Sequence, residues 1–457
     1  MRHMLKALGF WIWGLIAISI AISVVPLGYR VATLWRLHDV SAPSEPSAPS
    51  GMAPTQNPTD TRFQPGANIS RLIGAEMTAA QQALQAGNWT EALRQLTAAE
   101  AKSPLTAFDR KTVADFKGFA YVRLNNWRAA QDAYETALAT GVYTPEETQK
   151  TNQMVFRLAA GNQDYATAVA YGDQLAAAGS ATALDLAVMS QIYYLQKDCK
   201  NSAVWANKAI SASRKAGEAP KENLFQFKLQ CASDAGDDAA MATVLMDLIK
   251  LTNKTNYWNT LLRIERQDER DDHNLLMIYR VMYDTDSMNA SSDYMEMAQL
   301  LGDAALPGEA AAVLDKAMNS GKFTEQKDKD RATRLANTLK PRADTDKQGE
   351  AAFDAEAAKN PAGELDVKSG EIYYGSGDYQ SAVTAISRGI QKGQIKHLDE
   401  AYVYLGRSQV ALKNDAEAAR AFAHLKIVPS ISDRVLRLWT LYAESALPLL
   451  SPNANAG

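Results

Sequence analysis

The chain has 457 residues, of which 46% are hydrophobic and 22% charged, with a formal net charge of -4. That length exceeds what a single compact core keeps covering, so several domains or an elongated stack of units is expected. The first forty residues carry four basic side chains and one acidic one, leaving the remainder at -7; with no basic block or stripe, nucleic acid is not an expected partner.

Between Lys6 and Arg30 runs ALGFWIWGLIAISIAISVVPLGY, a stretch without a charge. At 1.5 Å per residue it is long enough, as a helix, to cross roughly 30 Å of hydrocarbon. A cleaved signal peptide has a shorter apolar region and a small-x-small cleavage site. The only tolerable site, Ala21-Ile22-Ser23, lies inside the apolar run. The pattern therefore favours an uncleaved transmembrane anchor over residues 7–29, with residues 1–6 cytoplasmic. Arg2 and Lys6 before it and Arg30 and Arg36 after it give only a weak positive-inside bias. Residues 30–70 read as a Pro/Ser-rich linker: Ser41 to Pro65 holds six of the sixteen prolines and almost no large apolar side chain.

From residue 71 to 446 apolar residues recur at spacings of three and four, and no sustained strand alternation occurs, so the fold class is all-α. Small or apolar residues near the start of each second helix fall at Ala92, Ala130, Ala168, Ser202, Met241, Leu276, Ala310, Ala382 and Ala418. Their period is close to 36, with one double gap between Ala310 and Ala382. About ten helix-turn-helix units follow: repeats over 71–320, a degenerate charged helical repeat over 321–361, and further repeats over 362–446. Residues 447–457 read as a disordered tail.

The stretch Ala114 to Leu138 carries Gly118 and Tyr121 in a first helix and Ala130, Tyr134 and Ala137 in a second. GNWTEAL, ALPGEAAAVLDKA, GEIYYGSGDYQSA and YLGRSQVALKNDAEAARAF repeat that signature. The pattern resembles the tetratricopeptide repeat family, whose unit is a 34-residue helix-turn-helix; Met241 and Leu276 depart from it. The resemblance implies an elongated superhelix with a concave groove. By the family's phase that groove is lined by Arg123, Gln191, Tyr194, Gln299, Glu371, Tyr374 and Arg407. The alternating Lys and Asn with which some members clamp a C-terminal carboxylate are not in register.

The five histidines are scattered through the sequence without metal-ligand spacing, and no phosphate-binding loop or nucleophile motif occurs. Arg263 to His273 and Glu325 to Arg331 alternate charge as solvated helix faces do. Cys199 and Cys231 lack a ligand set. They read as two buried free thiols, or, in an exported body with α-carbons within about 7 Å, as a disulfide between neighbouring repeats. No catalytic residue, metal or cofactor is expected.

The expected function is a non-enzymatic protein–protein interaction scaffold, anchored in a bacterial inner membrane with its repeats in the periplasm, or exported if the N-terminal segment is cleaved. Its partner would be a protein or peptide of the cell envelope. The layout resembles exported repeat proteins of proteobacteria, some of which accompany TonB-type transport systems. The alternative is a glycan- or synthase-associated subunit in polysaccharide or cell-wall assembly, which would present Tyr194, Tyr374 and Trp258 along the groove.

Overall fold

A computed structural model describes residues 69–447, apart from 268 and 430. The anchor, most of the linker and nearly all of the tail lie outside the described residues. Among those described there is no strand, and no helix is long and apolar enough to cross a membrane.

The described residues form two compact units, the first ending at Ile192 and the second beginning at Tyr193. The first holds three helix pairs: α1 (Gly74–Gln85) with α2 (Trp89–Glu100), α3 (Ala107–Arg123) with α4 (Trp127–Ala139), and α5 (Pro145–Gly161) with α6 (Tyr165–Ala177). The boundary falls within α7 (Ala183–Leu195).

The second unit continues with α8 (Cys199–Lys215), α9 (Glu222–Asp234), α10 (Asp238–Thr252), α11 (Thr255–Gln267) and α12 (Asp272–Asp284). Next come α13 (Ser291–Asp303), α14 (Pro307–Asn319) and a single long helix α15 (Gln326–Ala357). It ends with α16 (Glu364–Ser376), α17 (Tyr379–Lys392), α18 (Leu398–Ala411), α19 (Asp415–Ala423), a 3-10 turn and α20 (Asp433–Ala446). The helix-turn-helix pairs are what the tetratricopeptide resemblance implies. The charged stretch expected as one more unit of that kind is instead one helix of 32 residues that runs through Pro341.

Why the chain turns where it does can be read from the turns. Between paired helices a residue in left-handed conformation precedes an Asn or Asp cap: Gly87 and Asn88, Asn125 and Asn126, Gln163 and Asp164, Lys197 and Asp198. The cap's own N–H reaches back to the carbonyl five residues earlier, as Asn126 does to Tyr121 at 2.9 Å. Its side chain accepts from the first turn of the next helix, as Asn126 does from Ala129 at 3.3 Å. One short turn thus satisfies the open carbonyls of one helix and the open amides of the next.

All nine reference positions, Met241 and Leu276 included, are buried, and eight are the fourth residue of their helix. Ala there lets the paired helices approach closely. In the best-matching repeat a methyl added at Gly118 would sit 2.8 Å from the Tyr134 ring. Trp127 is half-buried and packs on the cluster of Val122, Ala130, Tyr134, Val155 and Leu158.

Cys199 and Cys231 form a disulfide between α8 and α9, with α-carbons 5.7 Å apart. Of the two sequence readings the free-thiol one is therefore overturned. The first residue of one helix and the tenth of the next face each other because neighbouring repeats stack, a proximity that sequence spacing alone does not disclose.

Candidate functional site

First helices other than α11 carry an acid in their opening turn, and it is buried at Asp109, Asp185, Asp293, Asp366 and Asp399. Asp109 closes a capping box with Thr106 and also accepts from the Ser70 amide at 2.9 Å. Asp185 caps through Thr182 and holds Arg157 at 3.0 Å; Asp293 holds Arg266 at 2.8 Å. Asp109, Asp185 and Asp293 thereby fix a helix end and tie it to an earlier part of the chain, whereas Asp366 pairs with the later Arg388 and Lys392. A sequence signal, Thr three residues before Asp, exists only at Thr106 and Thr182; Asp293, Asp366 and Asp399 follow Ala290, Gly363 and Lys396 and carry no such mark.

The seven groove positions divide by how their side chains are used. In the first unit, Arg123 lies half-exposed at the end of α3 with its guanidinium 5.1 Å from the centroid of the Trp89 ring. Trp89 is itself half-buried and meets Phe119 edge-on. Gln191, also in the first unit, is half-buried. In the second unit Tyr194 stacks on Phe227 at 4.6 Å, and Gln299 is exposed. Tyr374 and Arg407 are drawn into a network within the second unit, while the buried Glu371 pairs with Lys368 at 3.0 Å.

That network joins α12, α14, α16 and α18. Arg407, 3% exposed, donates bidentately to Asp284 at 2.9 and 3.0 Å and also bonds Glu309. Arg280, fully buried, donates to Glu400 at 2.7 Å, to the Tyr404 hydroxyl at 2.6 Å and to Glu309 at 3.3 Å. Tyr404 donates its own hydroxyl to Glu309 at 2.5 Å. The Arg280 and Arg407 guanidiniums lie over the rings of Tyr404 and Tyr374 at 4.5 and 4.9 Å.

Two backbones must nearly touch for this to form. A methyl at Gly308 on α14 would lie 2.9 Å from the backbone of Gly375 on α16, and these glycines adjoin Glu309 and Tyr374. Burial pushes the Glu309 carboxyl up, but Arg280 and Arg407 more than reverse this and hold it at about 2. It is an anion on both sides of neutral pH. Burial lifts the Tyr374 and Tyr404 hydroxyls well above their usual value.

Beside the network lies a cavity of about 430 Å³ whose walls include His273, Lys368, Glu371, His397 and Glu400. His273 shares a 2.8 Å contact between its Nε2 and Asp399, and stacks on His397 with centroids 4.5 Å apart. A second cavity, about 330 Å³, runs along Gly308, Glu309, Glu371 and Gly375 toward Lys340 and Asp344. Trp258 faces neither cavity. It is 1% exposed, and its indole donates to Asn253 at 2.8 Å.

No family model and no curated protein matches the chain. Among solved structures it is similar to a tetratricopeptide repeat protein from Parabacteroides merdae, at 11% identity and a TM-score of 0.29, over 81% of this chain and 99% of that one. It is similar to a structure of Naa15/Naa10 bound to HypK-THB, at 15% identity and a TM-score of 0.36, covering 79% of this chain but 59% of that one. A third likeness is to the APC/C hetero-tetramer Cut9-Hcn1, at 12% identity and a TM-score of 0.20, over 84% of this chain and 86% of that one. At these scores none of the three bears on what the chain does, and its function is read from its own geometry.

Proposed function

We propose that the chain is a protein–protein interaction scaffold whose partner docks on the first unit around Arg123 and Trp89. The observation that carries this is their half-exposed stack. Arg and Trp are the residue types that dominate binding energy at interfaces, and a guanidinium already laid on an indole loses little further freedom when a partner covers it.

The rest of the reading is topological. Residues 7–29 anchor the chain in a bacterial inner membrane, the linker holds the repeats off the bilayer, and the repeats work in the periplasm on an envelope complex. A TonB-type system is the one to which the layout's resemblance points. The Cys199–Cys231 bond supports this side of the membrane, since disulfides persist in oxidising compartments. The glycan reading has less support: Trp258 is buried, Tyr374 lies beneath Arg407, and Tyr194 is already stacked.

The test is affinity capture of the full-length protein from cross-linked membranes of its own host, in parallel with Arg123→Ala. We expect a discrete envelope protein, with the variant binding it more weakly by about 1–2 kcal/mol. Deleting residues 7–29 should move the chain out of the membrane fraction. A partner set indifferent to Arg123→Ala would remove the proposed docking face, and capture of cytoplasmic proteins alone would remove the topology.

A further inference from the structure

At Asp185, Asp293 and Asp366 the buried first-turn acid is held by Arg157, Arg266, and Arg388 with Lys392, side chains that cannot bind a metal. At Asp399 the arrangement differs. His273, from the start of α12, and His397, capping α18, both converge on this carboxylate, although 124 positions separate them. One imidazole would satisfy Asp399 as a hydrogen-bond donor. The second adds nothing to that pair, and two protonated rings stacked at 4.5 Å would repel.

We propose that His273, His397 and Asp399 form a binding site for a zinc-class divalent metal ion. One ligand atom from each lies within 4.8 Å of the others. In a tetrahedral zinc site, bonds of roughly 2.0–2.1 Å keep ligand atoms about 3.3 Å apart. The His273–Asp399 contact of 2.8 Å therefore opens slightly and His397 closes in, movements that side-chain rotation supplies.

The surroundings fit a metal ligand set. Behind His273, Glu400 stands 3.7 Å from Nδ1 and is itself fixed by Arg280 at 2.7 Å. A carboxylate on the far nitrogen is how metal-bound imidazoles are oriented and made more basic. Asp399 and Glu400 together offset the positive N-terminal end of α18. On the open side, His273, His397 and Glu400 border the 430 Å³ cavity, which leaves space for a water or a partner's donor group in the fourth position. Imidazole with carboxylate suits zinc, nickel or copper, whereas magnesium and calcium favour all-oxygen sets.

The test uses the full-length, untagged chain stripped with a chelator, titrated with Zn²⁺ in competition with a chromophoric chelator, and with Co²⁺ for its visible spectrum. We expect one ion per chain and tetrahedral cobalt bands. His273→Ala and His397→Ala should each weaken binding by more than about 100-fold, and Glu400→Gln by about 10–100-fold, the range of an outer-shell partner. Circular dichroism without metal shows whether each variant folds. Should a His variant fail to fold, X-ray absorption of the zinc-loaded parent decides: imidazole scattering supports the site, and its absence overturns it. No binding below millimolar zinc, or affinity unchanged in both folded His variants, also overturns it.

Discussion

Glu371 carries a carboxyl that burial lifts to about 7, with Glu400 pushing the same way and Lys368 and Arg280 pulling against it. In the unfolded chain the same group titrates near 4.3. The folded state thus binds the extra proton between those values; its contribution is present below the unfolded value and is lost as pH rises through 7. Replacing Glu371 with Gln keeps the shape and removes the buried charge. The thermal midpoint should rise at pH 8, by the equivalent of on the order of 2 kcal/mol, and hardly change at pH 4. A lower midpoint at pH 8 would show that the 3.0 Å pair with Lys368 outweighs the cost of burial. Residue identity was legible here only in part. The sequence placed Glu371, Tyr374 and Arg407 on first helices, but whether such a side chain meets water or a buried arginine depends on what lies across from it, and no local pattern encodes that.

Among the elements, the pairing of helices was the most legible feature, because apolar spacing and the period near 36 mark it; in the structure a left-handed residue followed by Asn or Asp makes seven of the turns within pairs. The same rule explains α15. No such turn interrupts Gln326–Ala357, and although the period of 36 allows a hairpin there, the chain continues as a helix through Pro341. Where α14 and α16 cross, the spacing is set by two glycines, so a single methyl should be felt at the network. A Cβ at position 375 would lie 3.0 Å from the Glu309 amide, too close for the helices to stay in place. Gly375→Ala should cost the second unit about 1–3 kcal/mol, as overpacking does. Chemical denaturation of the variant measures this; a loss of a few tenths would mean that the crossing relaxes without cost.

Over the whole molecule, sequence and structure part at the closure of the second unit. A repeat pattern specifies neighbours, and the first unit's polar ties obey it: Gln131 to Asp164 spans 33 positions and Arg157 to Asp185 spans 28. In the second unit Arg280 reaches Tyr404 across 124 positions, and Arg407 reaches Asp284 across 123. The terminal helix α20 packs on α10 and α12, with Arg434 on Glu265 at 3.2 Å. These contacts join side chains far apart in the sequence, and periodicity carries no trace of them. Arg407→Met would strand Asp284 and Glu309, and the second unit should lose about 3–5 kcal/mol while the first is unchanged. Urea unfolding followed by Trp89 fluorescence in the first unit and Trp439 fluorescence in the second, each in a background lacking the other tryptophans, separates the two. Equal losses in both would contradict the assignment.

Closure also sets a folding order. Forming a contact across 124 positions rather than 33 adds about 1 kcal/mol of chain entropy before any ion pair compensates. Higher contact order slows folding. The first unit can assemble from nearest neighbours as it leaves the ribosome; the second must wait until residues beyond 400 have emerged, and until then it leaves Arg280, Asp284 and Glu309 without Glu400, Tyr404 and Arg407, open to whatever chaperone meets the unfinished chain.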